Sequence, residues 1–89
     1  MGELFPTPAR LALLRAVERN ELTGYTFYGS SVIEIYWDAA GAGGRVTASV
    51  EKMILAGWVK ESSRHPVEKT LSYRLTEAGE KVLEEHGHG

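Results

Sequence analysis

The chain contains no cysteine, only three prolines and only three histidines in 89 residues. Without cysteine there is no disulfide, no thiolate metal site and no thiol nucleophile. The histidines, at 65, 86 and 88, fall in a polar stretch and in the tail, where a buried catalytic base is not expected. His86 and His88 lack a third metal ligand nearby. No apolar run approaches the ~20 residues of a membrane-spanning helix. The first residues lack the basic segment and apolar core of a secretory leader. Positive charge is not in surplus either: Lys and Arg number 10 against 12 Asp and Glu, for a net charge of −2. These absences argue against an enzyme, a cofactor, a metal site and a membrane partner, and a cytoplasmic location is expected.

The length suits one domain, residues 1–89, with 1–6 and 87–89 as loosely held ends. So short a chain buries a modest fraction of its surface, and dimerisation would help it. Its charge is unevenly spread. Residues 44–76 carry six basic groups against three acidic ones, a net +3, whereas residues 1–43 carry −2 and residues 77–89 carry −3. The middle of the chain is therefore the part suited to an anionic partner. A solvated surface whose blocks differ by chance is the alternative.

Local signals outline the elements in turn. Thr7 followed by Pro8 is an N-cap with proline at the first helical position, predicting a helix over 8–20 with Leu11, Leu14 and Val17 on one stripe and Leu13 beside it. The stretch TGYTFYG predicts a short strand over 25–28 or a structured loop. Tyr25, Phe27 and Tyr28 are expected in or over the core rather than as a base-stacking platform. Ser31 and Glu34 form a capping-box pattern, and Ile33, Tyr36, Trp37 and Ala40 follow the spacing of one helix face, predicting a helix over 32–40. Gly41-Ala42-Gly43-Gly44 is read as the turn between two helices. It lacks the spacing and the lysine–hydroxyl pair of a phosphate-binding loop.

Val46, Val50 and Met53 share a face, predicting a helix over 45–56 that stops at Gly57. Strands are predicted at 58–62 and 70–75, the second from the alternation of Leu71, Tyr73 and Leu75 with polar residues. Thr76 is a cap for a last helix over 77–86, with Glu77 and Glu80 in its first turn and Ala78, Val82 and Leu83 on its apolar side.

A helix followed by AGWV, a polar-tipped hairpin and YRLTEAG resembles the second half of the winged helix-turn-helix superfamily of small bacterial regulators that includes the MarR and PadR types. The resemblance covers about half of the chain. It implies an α+β fold: a three-helix core, a two- or three-stranded wing sheet and a C-terminal helix. It also implies a homodimer paired through its first helices. Its function would be sequence-specific binding of double-stranded DNA as a transcriptional regulator, in the manner of a repressor. No small-molecule effector can be read from the residues.

On the helix over 45–56, Arg45, Thr47, Ala48 and Lys52 lie away from the buried face. Arginine forks onto guanine, threonine and alanine touch a thymine methyl, and lysine reaches guanine or phosphate. The first backbone N–H groups favour a phosphate. The wing tip, residues 62–69, would meet the backbone or minor groove through Arg64, with His65 and Lys69 beside it. Glu51 and the apolar Leu55 sit awkwardly on such a face. A protein-contact module that binds no DNA is the competing expectation.

Overall fold

The computed structural model describes residues 4–27, 29, 31–38 and 44–87. In chain order the elements are α1 (Pro8–Glu18), β1 (Leu22–Thr26), β2 (Ile33–Trp37), β3 (Gly44–Arg45), α2 (Thr47–Leu55), β4 (Val59–His65), β5 (Thr70–Leu75) and α3 (Glu77–His86). The strands form one antiparallel five-stranded sheet in the order β3-β2-β1-β5-β4. The expected winged helix-turn-helix with a three-helix core is therefore overturned. This is a small α+β fold in which strands outnumber helices.

The difference lies between residues 32 and 40. Where a second helix was expected, Ile33–Trp37 runs as a strand paired with β1 over its whole length, from Leu22 opposite Trp37 to Thr26 opposite Ile33. Isoleucine, tyrosine and tryptophan are indifferent helix formers and favoured strand formers. The strand also buries Ile35, 2% exposed, which a helix of the expected phase would have left off its apolar face. Glu34 makes no capping box. Its carboxylate accepts from the hydroxyl of Tyr36 at 2.7 Å, a contact between residues two apart that lie on one strand face. Ala40 and the linker residues 41–43 lie outside the described residues, as do Tyr28 and Ser30.

The rest of the chain follows its local signals more closely, although the strand expected over 25–28 is Leu22–Thr26 and the helix expected from 45 begins at Thr47, Arg45 being drawn into β3 by pairing with Tyr36. Thr7 caps α1 by accepting from the Arg10 amide at 3.3 Å, and Leu13, Leu14, Ala16 and Val17 are buried. The helix stops at Glu18, and Asn20 takes a left-handed conformation, with φ 59°, before the chain enters β1. Gly57, with φ 83°, ends the turn after α2. Thr76 caps α3 by accepting from the Gly79 amide at 3.0 Å. On α3 it is Gly79, not Ala78, that is buried, because the carbonyl of Trp58 lies against it.

Register sorts the strand residues into two faces. Leu22, Gly24, Ile35, Leu71, Tyr73 and Val59 face the helices and are all buried. They close one core with Leu13, Leu14, Ala16, Val17, Val50, Met53 and Trp58. Burial of this set is the main stabilising term. α1 packs on β5 and α3, whereas α2 packs on β2 and β4. On the other face stand Thr23, Tyr25, Glu34, Tyr36, Thr70 and Ser72, none of them buried. Gly24 is a close approach: a β-carbon there would lie 2.6 Å from the Tyr73 hydroxyl.

Among the described residues no helix is long and apolar enough to cross a membrane.

Candidate nucleic-acid interface

α2 is fixed at its start by the sheet. The Val46 amide donates to the Ile35 carbonyl at 2.8 Å, and the Ile35 amide donates to the Thr47 hydroxyl oxygen at 2.9 Å. The β2–β3 ladder, in which Tyr36 pairs with Arg45, thus runs straight into the first turn of the helix. Val50 and Met53 are wholly buried and set the helix phase. Ala48, Ser49, Glu51, Lys52 and Leu55 are then exposed. No side chain caps the N-terminus of α2, so its first amides are open to an acceptor.

Three of the sequence-predicted residues gather at that end. Arg45, Thr47 and Ala48 line a shallow cleft of about 440 Å³ together with Glu34 and Glu51. Lys52 is exposed one turn further along. Of these, Arg45 and Lys52 offer cationic length on the surface. Thr47 spends its acceptor on the sheet, a fastening role that sequence reasoning missed because its partner lies 12 residues away.

The hairpin β4–β5 is a polar arm, exposed at every residue from Lys60 to Lys69. β4 forms one edge of the sheet, and its charges and bulge blunt that edge against further pairing. The register shifts between Glu61 and Ser63. The extra residue turns Glu61 and Arg64 onto the same side, opposite Tyr73 and Leu71 respectively. They form an ion pair at 3.0 Å, and the hydrogen bonds that the Arg64 guanidinium donates to Glu61 hold it above its ordinary pKa. On the opposite side Ser63 meets Ser72, hydroxyl to hydroxyl, at 2.5 Å.

Burial pushes the Tyr73 phenol above its ordinary pKa. Glu61 and, more weakly, Glu51 push it the same way, and Arg64 opposes them. Two carboxylates, one from the arm and one from α2, therefore act on the seam between these elements. Arg64 stands on this side with α2. His65 pairs with Thr70, which lies on the open face, and Lys69 lines a cleft on that face. Lys69 is in a left-handed turn, with φ 57°, and its carbonyl accepts from the Thr26 amide at 2.9 Å, tying the turn end of the arm to β1. The seven predicted residues thus divide. Thr47, Ala48, Lys52 and Arg64 are associated with α2 and the adjoining side of the arm, His65 and Lys69 turn to the open face, and Arg45, paired with Tyr36, stands at the edge of that face beside the start of α2.

The open face also carries Tyr25 and Tyr36, whose rings meet edge to face at a centroid distance of 5.6 Å and an interplanar angle of 73°. Tyr25 and Phe27, expected in or over the core, are exposed instead. The period-two alternation of Glu34 and Tyr36 was a signal for their shared strand face, but the meeting with Tyr25 rests on the β1–β2 register. Compared with family models, curated proteins and solved structures, the chain matches none.

Proposed function

We propose that the chain binds double-stranded DNA, with α2 entering the major groove by its N-terminal end and the β4–β5 arm lying along the flanking backbone. The observation that carries this reading is the uncapped start of α2, with the exposed Arg45 just before it and the exposed Lys52 further along the helix. A nine-residue helix spans ~13 Å, about the ~12 Å width of the major groove. Arg45 is the guanine-directed residue, Ala48 a contact for a thymine methyl, and Lys52 a phosphate or guanine contact. Arg64 supplies the arm's phosphate contact once it leaves Glu61, and exposed ion pairs are weak enough to exchange partners. A homodimer reading two half-sites one helical turn apart, ~34 Å, acting as a cytoplasmic repressor, is the arrangement this reading adopts.

The experiment is a duplex-binding titration by fluorescence anisotropy at several salt concentrations, using random genomic fragments. Affinity should fall steeply with salt. Arg45→Ala with Lys52→Ala should weaken binding and flatten the log–log salt slope by about 2. An unchanged slope would remove both residues from the interface.

A protein-contact role is the second reading. It is favoured by Leu55, 88% exposed, beside Ile54, 37% exposed, at the end of α2. Leu55→Ser separates the two: it should leave duplex binding intact on the first reading and abolish partner binding on the second.

A further inference from the structure

The open face of the sheet holds a second feature, built around aromatic rings that the duplex-binding reading does not use. β1 and β2 place Tyr25 and Tyr36 there as diagonal neighbours, Tyr25 opposite Glu34 and Thr23 opposite Tyr36. Their perpendicular rings make a corner. Phe27, 46% exposed, adds a third ring. With the carboxylates of Glu34, Asp38 and Glu68 and the ammonium of Lys69, these rings line an open cleft of about 640 Å³. Arg45 adds a second cation from the neighbouring strand, across Tyr36. Two of the carboxylates are already oriented, each through one oxygen. Glu34 accepts from Tyr36, and Asp38 accepts from the Thr23 hydroxyl at 3.0 Å.

We infer that this cleft takes the guanidinium of an arginine on a basic polypeptide partner. Charge and shape together select that ligand. Ring faces carry negative quadrupole density and attract cations, and three carboxylates exceed the two cations nearby. Single-stranded nucleic acid would stack on the same rings, but its phosphates would meet those carboxylates. A quaternary ammonium has no N–H to offer a carboxylate and is held by rings that enclose it, whereas this cleft is open. A guanidinium is flat, stacks on a tyrosine face and presents a fork of five N–H donors matched to carboxylate oxygens. Lysine's compact, strongly hydrated ammonium fits the rings less well. Arg45 and Glu34 also border the cleft at the start of α2, but the inference does not depend on the duplex-binding reading, because that reading assigns no ring or carboxylate of this cleft to DNA.

The test is a titration of the full 15N-labelled chain, followed by amide and aromatic NMR signals. The probes are an arginine–glycine repeat peptide, its lysine counterpart, tetramethylammonium and oligothymidylate. The arginine peptide should shift the signals of Tyr25, Phe27 and Tyr36 saturably, and about two- to fivefold more tightly than the lysine peptide. Tyr25→Ala and Glu34→Gln should each weaken that binding by a similar factor while the dispersed amide spectrum persists. Three results would each overturn the inference: no saturable shift at these rings, equal responses to arginine, lysine and tetramethylammonium, or tighter binding of oligothymidylate.

Discussion

Substituting Gly24 by alanine sets two known effects against each other. Gly24 lies mid-strand in β1, paired with Ile35 on one side and Leu71 on the other. Chain entropy alone would make alanine the more stable residue there, by about 0.5–1 kcal/mol. The structure reverses the sign. The new methyl would lie 2.6 Å from the Tyr73 hydroxyl, 3.1 Å from Tyr73 Cε2 and 3.2 Å from Leu71 Cβ. Tyr73 is only 6% exposed, so its ring has no free space into which to retreat without losing its burial. Overpacking of this kind costs about 1–3 kcal/mol. The net expectation is a destabilisation of about 1–2 kcal/mol, with each kcal/mol lowering the melting temperature by roughly 4–8 °C in a domain of this size. A double-mutant cycle isolates the cause. Tyr73→Phe removes the 2.6 Å contact and leaves the two milder ones. Gly24→Ala should therefore cost about 1 kcal/mol less in the Tyr73→Phe background than in the parent. Urea melts of the four proteins measure both quantities. A stabilising Gly24→Ala, or an equal cost in both backgrounds, would refute the reasoning.

Further outcomes follow from the strand at 33–37 and from the arm. Ile35→Ala should cost about 2–5 kcal/mol by denaturant melt; a small effect would indicate that residue 35 lies off the buried face, as in a helix of the expected phase. Tyr73 and Tyr36 both have folded-state pKa values above the ordinary 10.0, Tyr73 through burial and Tyr36 through its bond to Glu34. Stability from these groups is complete below pH ~10 and falls as pH rises through it, since the unfolded chain gives up its phenolic protons first; Tyr73→Phe should shrink that alkaline decline. Glu61→Gln should release Arg64 and tighten duplex binding several-fold at low salt, with the gain fading as salt rises; weaker binding would argue that the ion pair itself presents the arm.

Elements whose signals are local could be read from the residues. Thr7-Pro8 and Thr76 mark helix starts by chemistry confined to one turn, and Leu71, Tyr73 and Leu75 alternate plainly. The segment 33–37 satisfied two periods at once. Ile33, Tyr36 and Trp37 fit a helix, while Ile33, Ile35 and Trp37 fit a strand. Only a partner decides between them, and that partner, LTGYT, contains a glycine that lowers its own strand signal. The glycine is there because Tyr73, some fifty residues later, needs the space. The bulge at residue 62 is likewise set by pairing across the hairpin, so the meeting of Glu61 with Arg64 could not be read from their spacing. Lys52 was legible from helix phase alone, whereas Arg45 was not, because it pairs with Tyr36 in β3 instead of opening the helix. The aromatic corner of Tyr25 and Tyr36 needed the β1–β2 register.

Replacing a helix by β2 also changes what holds α2, and Thr47 is where the change is testable. In a helix-turn-helix, a preceding helix supports the recognition helix by packing. Here Ile35 alone exchanges two hydrogen bonds with the start of α2, one through Val46 and one through the Thr47 hydroxyl. A base-reading threonine and a fastening threonine respond differently to conservative change. Thr47→Ser keeps the acceptor and removes the methyl. Thr47→Val keeps a methyl and strands the partly buried Ile35 amide, at about 1–3 kcal/mol. If Thr47 fastens the helix, serine should leave duplex affinity and stability close to the parent, and valine should destabilise the fold. If it reads a thymine methyl, serine should lower affinity for the preferred sequence with stability intact, and valine should bind as well as the parent wherever it remains folded. Melting curves and anisotropy titrations on the two variants decide between these roles. Fastening is the expected result, because the hydrogen bond from Ile35 already holds the side chain toward the sheet.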